Sequence, residues 1–161
     1  MLSNYFKVKS MRRKKAIERP FPALTFLTTR TVRFEEVDQM RYMWHGRYPS
    51  WLEDGREALG QHYQISYLDF YAAGVLVPIR TMNLNYLSPL LYRKTYHIET
   101  NLLWNEAAIL EFSYRILNEN GDVMTEAETS QLMITVENEV LFESPQFYQN
   151  FCLAWKEGRL L

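Results

Sequence analysis

Two neighbouring stretches in the second half of this chain alternate apolar and polar residues one for one, and nothing else in the sequence narrows the fold as much. In the first, Tyr92, Tyr96, Ile98 and Leu102 are apolar while Arg93, Thr95, Glu99 and Asn101 are polar, and Asn105-Glu106 closes the segment. The second runs from Ala108 to Leu117, with Leu110, Phe112, Tyr114 and Ile116 on one face. A period of two is the signature of a strand with one face in the core and one in water. Asn118-Glu119-Asn120-Gly121 supplies residues that tolerate positive φ at a hairpin turn, and a long strand is expected to follow over Asp122 to Glu137. Strands joined by short turns favour an antiparallel meander, whose apolar face must be covered. The cover lies upstream, where Tyr48, Trp51, Leu52, Gly55, Leu59 and His62 recur at the three- and four-residue steps of one helix face. The expected class is therefore α+β, an antiparallel sheet wrapped around one long helix that runs from Pro49 to about Gln64.

The remaining segments fit around this frame. Val75 to Tyr86 reads as a strand in which Pro78 suggests an edge position or a bulge, and Ser88-Pro89 marks a turn. Ser144 to Lys156 reads as an extra C-terminal helix, with Phe147, Phe151 and Trp155 at four-residue steps, Ser144 as cap and Pro145 at the first position. The chain is thus divided into a basic extension over 1–29, one domain over 30–140 and a helical tail over 141–161.

At 161 residues with 47% hydrophobic content, the chain suits one domain with a real core. A single cysteine, Cys152, excludes an internal disulfide framework and fits a reducing, cytoplasmic location. It reads as a small buried residue, since no His or acid lies near it in sequence. Residues 1 to 30 hold eight Lys or Arg against the single acid Glu18, while the rest of the chain holds ten basic and eighteen acidic residues. An acidic body is a poor surface for phosphate backbones, so nucleic-acid binding by the folded domain is not expected. No segment reaches the ~20 apolar residues a transmembrane helix needs, and the basic head has no secretory apolar core. His45, His62 and His97 show no ligand spacing for zinc, and neither a nucleotide-binding glycine pattern nor a Gly-x-Ser-x-Gly elbow is present. Neither a metal nor a cofactor is expected.

The stretch from Val32 to Arg56 runs from a strand, placed at Thr31 to Phe34, through a loop into the helix, with Asp38 at the loop's start. Gly46 lets the chain turn, and Pro49 suits a first helical turn, where a free N–H has no partner. The entering amides, around Gly46, Arg47 and Tyr48, leave donors pointing outward, and such a terminus attracts developing negative charge.

Phe34, Asp38, His45, Tyr48, Trp51, Glu53 and Arg56 stand in register with a known signature: an aromatic strand end, an Asp, a His or Asn seven residues on, then Tyr, an aromatic, Glu and Arg. Over roughly Thr31 to Glu137 the chain resembles the 4-hydroxybenzoyl-CoA thioesterase-like branch of the hotdog-fold superfamily. Within that branch it is most similar to the acyl-CoA thioesterases found with the Tol–Pal envelope genes. Arg41, followed by Tyr42, stands where the family commonly has Gly.

The resemblance implies a hotdog fold, a homodimer or tetramer with sites at the interface, and hydrolysis of an acyl thioester carried by CoA or by an acyl-carrier protein. Asp38 is then the base that activates water, or the nucleophile itself. The amides of Gly46, Arg47 and Tyr48 are the donors for the oxyanion. His45 orients substrate or water, Arg41, Tyr42, Trp44 and Trp51 are candidate substrate contacts, and Glu53 on the helix is an alternative base. The rival expectation, from a different class, is a non-catalytic module that binds acyl thioesters.

Overall fold

The alternating stretches become adjacent strands of one antiparallel sheet. In the computed structural model, which describes residues 18–160, β4 (Thr95–Leu103), β5 (Ile109–Leu117) and β6 (Val123–Leu132) form the meander. Its register sets Ile98 opposite Ile116 and Leu102 opposite Phe112, so the apolar sets of the two strands share one buried face. At the β5–β6 turn Gly121 adopts a φ of 82°, and the Asn118 side chain accepts from the amides of Asn120 and Asp122. β1 (Leu24–Thr31) lies outside β4 and β3 (Ile79–Tyr86) lies outside β6, which gives the order β1-β4-β5-β6-β3.

Three boundaries differ from expectation, each for a physical reason. The first strand begins at Leu24, inside the stretch assigned to the basic extension, and ends at Thr31; Phe34–Glu36 is a 3-10 turn, not a strand end. Its inward positions after Leu24 and Phe26 are Thr28 and Arg30, so hydropathy does not alternate although the backbone does. The stretch at 75–86 divides at Val77-Pro78. β2 (Val75–Leu76) pairs with β7 (Ile134–Thr135) in a separate ribbon, while β3 takes the sheet edge with a register shift between Ile79 and Thr81. That is where a residue without an N–H is tolerated. The third stretch breaks likewise, β6 ending at Leu132 before the buried Met133.

α1 (Tyr48–Tyr63) packs across β1 and β4 and buries Trp51, Leu52 and Leu59. Gly55 faces Thr100 and Ile98 so closely that a Cβ there would overlap both. His62 is not on the buried face: it is exposed and stacks on Phe26, with ring centroids 4.7 Å apart. The helix stops where Gln64 turns left-handed at φ 59°, and a short α2 (Tyr67–Ala72) follows, opened by reciprocal hydrogen bonds between Ser66 and Asp69.

α3 (Gln146–Lys156) is capped by Pro145 rather than Ser144, whose carbonyl instead accepts from the Gln149 side chain at 2.7 Å. The helix is integral to the domain: Tyr148 and Trp155 are buried in the main core, and Trp155 Nε1 donates to the Pro22 carbonyl at 2.9 Å. The basic stretch Lys7 to Lys15 lies outside the described residues. Among the described residues, no helix is long and apolar enough to cross a membrane.

Candidate active site

The loop between β1 and α1 is built around two carboxylates with opposite surroundings. Glu36 is 2% exposed. Its Oε1 pairs with Arg30 at 2.5 Å and accepts from Trp51 Nε1 at 3.1 Å, while Oε2 accepts from the Arg33 amide at 2.9 Å. Arg30 reaches on to Asp54 at 2.5 Å and to the Ser50 carbonyl at 3.2 Å. This network ties the end of β1 and the loop to the first turns of α1.

Asp38 is half-exposed and caps its own turn. Its Oδ1 accepts from the amides of Met40 at 2.8 Å and Tyr42 at 3.3 Å, and its backbone N–H donates to the Tyr42 carbonyl at 2.9 Å. That closes a tight loop, and the hydrogen bonds to Oδ1 leave Oδ2 as the oxygen that can face a ligand. Arg41, inside this loop, has a φ of 63°. A residue with a Cβ is disfavoured there by roughly 1–2 kcal/mol, against ~0.5–1 kcal/mol of chain entropy for glycine. Arg41→Gly is expected to leave the stability unchanged or to raise it by up to ~1 kcal/mol, measured by urea denaturation.

Beyond the loop, Met43 bonds to the Leu90 carbonyl at 2.8 Å and Trp44 to the Glu36 carbonyl at 2.8 Å, which aims the chain into a 3-10 turn, His45–Arg47, continuous with α1. The first internal hydrogen bond of this turn is Arg47 N–H to the Trp44 carbonyl, 2.9 Å. The Arg47 amide, expected as an oxyanion donor, is therefore committed, while the Tyr48 amide opens α1. His45 and Gly46 carry the two amides that precede that bond, the positions at which helix donors are left over.

Asp38, Tyr42, His45 and Tyr48 line one cleft of about 230 Å³ together with Met43, Tyr86, Ser88 and Pro89. Tyr48 and Tyr86 meet edge to face at 4.8 Å, and the Tyr86 hydroxyl donates to the His45 carbonyl at 3.3 Å. Burial pushes the Tyr48 phenol above its ordinary pKa, so it stays a neutral wall of the cleft.

The other expected contacts lie elsewhere. Trp51 is 0% exposed and belongs to the core, where it serves Glu36. Arg41 is exposed outside the cleft, and Trp44 packs its ring against His45 at 4.9 Å, over the hydrogen face of Gly46. Glu53 does not line the cleft; it pairs with the buried Arg56 at 2.6 Å and accepts from Tyr67 at 3.3 Å. Cys152 is half-buried beside Tyr148, and burial pushes its thiol up to about 11, which agrees with a packing role. Reading the sequence missed Glu36 and Arg30, which look like solvated charges, and Tyr86, Ser88 and Pro89, of which the last two were legible only as a turn. Among the described residues, no group of three or more His, Cys, Asp or Glu is placed to hold a metal ion.

Comparison with known proteins shows the family and the fold. Residues 32–151 match the model of the thioesterase-like superfamily. YneP of Bacillus subtilis, provisionally named an acyl-CoA thioesterase, is 32% identical over 120 residues, covering 74% of this chain and 85% of YneP. The acyl-CoA thioester hydrolase YbgC of Escherichia coli O157:H7 is 26% identical over 97 residues, 60% of this chain and 72% of YbgC. Among solved structures, the DHNA-CoA thioesterase of Staphylococcus aureus superposes with a TM-score of 0.75 at 22% identity, over 84% of this chain and 91% of that one. The fold is the hotdog fold, and the chain belongs to the thioesterase-like superfamily.

Proposed function

We propose that this protein hydrolyses acyl-CoA or acyl-carrier thioesters to a free acid and a thiol. The observation that carries the reading is that one cleft is lined both by Asp38, a carboxylate held by its own loop amides, and by His45 and Tyr48, which begin the 3-10 turn and α1. The thioester carbonyl binds toward the N–H groups of His45 and Gly46. Asp38 Oδ2 either takes a proton from water as it attacks the carbonyl carbon or attacks that carbon itself. As the carbonyl oxygen gains charge, the two amides stabilise it without reorganising. Collapse expels the thiolate, a good leaving group that needs no dedicated acid, and on the second route water then hydrolyses the mixed anhydride left on Asp38, giving the free acid and restoring the carboxylate. Tyr48, Tyr86, Met43 and Pro89 contact the acyl group, and His45 orients substrate or water at the rim.

The family resemblance and the names of YneP and YbgC support the same substrate class. A homodimer fits as well, since β3 ends the sheet order and, among the described residues, has no strand on its outer edge, where the β3 of a second copy can pair. The test is thiol release from short, long and aromatic acyl-CoA substrates by the purified full chain, repeated with acyl groups on a carrier protein. Turnover on at least one of these is the expected result. Tight binding of acyl thioesters without turnover would replace the hydrolase by the binding module.

A further inference from the structure

The two loops that give the cleft Asp38, Tyr42 and Pro89 also carry exposed apolar side chains that neither the core nor the proposed chemistry uses. Phe34 is 77% exposed, Met40 68% and Leu91 40%. They sit on two loops stitched together: Arg93 N–H donates to the Val32 carbonyl at 3.1 Å, Tyr92 N–H to the Arg41 carbonyl at 3.3 Å, and Tyr42 bridges to Leu91. The Phe34 and Tyr92 rings meet edge to face at 6.0 Å, and the Arg93 guanidinium lies 5.3 Å from the Tyr92 ring centre. The same loops expose Arg33, Arg41, Arg47, Arg93 and Lys94, with only Glu35 and the half-exposed Asp38 as carboxylates among them; Glu36 is buried against Arg30. On a chain whose residues after 30 hold ten basic and eighteen acidic side chains, this is a local reversal of sign.

We propose that this face docks on an anionic lipid bilayer, with Phe34, Met40 and Leu91 entering the headgroup region and the surrounding cations resting on lipid phosphates. Protruding apolar tips ringed by long basic side chains are the arrangement that lies in a membrane interface. An anionic surface potential attracts such cations, each adding to the affinity at physiological salt. Docked in this way, the loops that carry Asp38, Tyr42 and Pro89 lie against the bilayer, where long-chain acyl thioesters partition. The docking itself does not depend on the hydrolase reading.

The experiment is co-sedimentation of the full chain with vesicles of phosphatidylcholine alone and of phosphatidylcholine with 30% phosphatidylglycerol, a composition of roughly the charge that such attraction requires. The variants are Phe34→Ser/Met40→Ser and Arg33→Glu/Lys94→Glu, with circular dichroism and solution mass recorded for each. The expected result is binding to the anionic vesicles only, weakened at least ~10-fold by either pair while fold and mass stay unchanged. Three results would overturn the proposal. One is no binding to either vesicle. Another is binding that both pairs leave intact, which would assign it to the basic segment Lys7 to Lys15. The last is a lower solution mass in the Phe34→Ser/Met40→Ser variant, which would make the face a contact between subunits. Because the readout is sedimentation, an inactive protein that binds and an active one that does not are told apart.

Discussion

Asp38→Asn is expected to lower turnover of the best acyl-CoA substrate by roughly 10²–10⁴-fold, the span usual for one positioned acid or base, while the melting temperature stays within a degree or so of the parent. The substitution suits the geometry. Asn keeps a carbonyl oxygen where Asp38 Oδ1 accepts the amides of Met40 and Tyr42, so the turn keeps its closure. What changes is Oδ2, which becomes an NH₂ group that can neither accept a proton from water nor attack a carbonyl carbon. Asp38→Ala is a poorer test, because it also leaves those two amides without their acceptor and loosens the loop. Steady-state thiol release read beside thermal unfolding separates chemistry from fold. If Asp38→Asn works at a near-parental rate, the base lies elsewhere, and Glu53 is the next residue to change.

The second large effect belongs to a residue that touches no substrate. Glu36→Ala is expected to destabilise the fold by about 3 kcal/mol, the lower end of what removing one partner of a buried ion pair costs. For a chain of this size that corresponds to a fall in Tm on the order of 10 °C. Arg30 would keep Asp54 and the Ser50 carbonyl, which is why the lower end applies, but Trp51 Nε1 and the Arg33 amide would each lose their acceptor. Glu36→Gln retains an acceptor for one of them and should fall between the two. Differential scanning calorimetry of the three proteins measures this order directly. Equal melting temperatures would mean that the loop is held by its backbone bonds alone.

The sequence revealed the fold wherever a single physical signal was undiluted. β4 and β5 alternate cleanly because each buries one face against α1 and the other core side chains, and α1 shows its stripe because one side of it is buried over four turns. The signal failed where the inward residues are polar. Thr28 and Arg30 conceal β1, and Arg30 faces inward only because Glu36 waits for it, a pairing between separate elements that no local pattern reports. The divisions at Pro78 and Met133 depend on each other, since β2 and β7 exist only as partners. Of the residues lining the cleft, Asp38, Tyr42, His45 and Tyr48 are singled out through the family resemblance, and one loop carries them all into the helix. Tyr86, Ser88 and Pro89 arrive from the far edge of the sheet, and Trp51, drawn in by its aromatic character, is taken by the core instead. Of the three amides expected as donors, those of Gly46, Arg47 and Tyr48, the one at Arg47 is committed by a single 3-10 hydrogen bond that no sequence pattern reports.

Trp155 and Pro22 are separated by 133 positions, yet the indole N–H of one closes on the carbonyl of the other. Phe21 rests on Trp104 at 4.6 Å, and Trp104 rests on Trp155 at 5.1 Å, so the approach to β1 is fastened by a residue from the last helix. On a ribosome, where residues emerge in order, the lead-in to the first strand meets Trp104 and Glu111 first, and its bond from Trp155 closes only after α3 has left the exit tunnel. Contacts of such long range form late and slow the final step. β1 can pair with β4 and take α1 before then, so what waits for α3 is the last fastening of the segment ahead of the first strand.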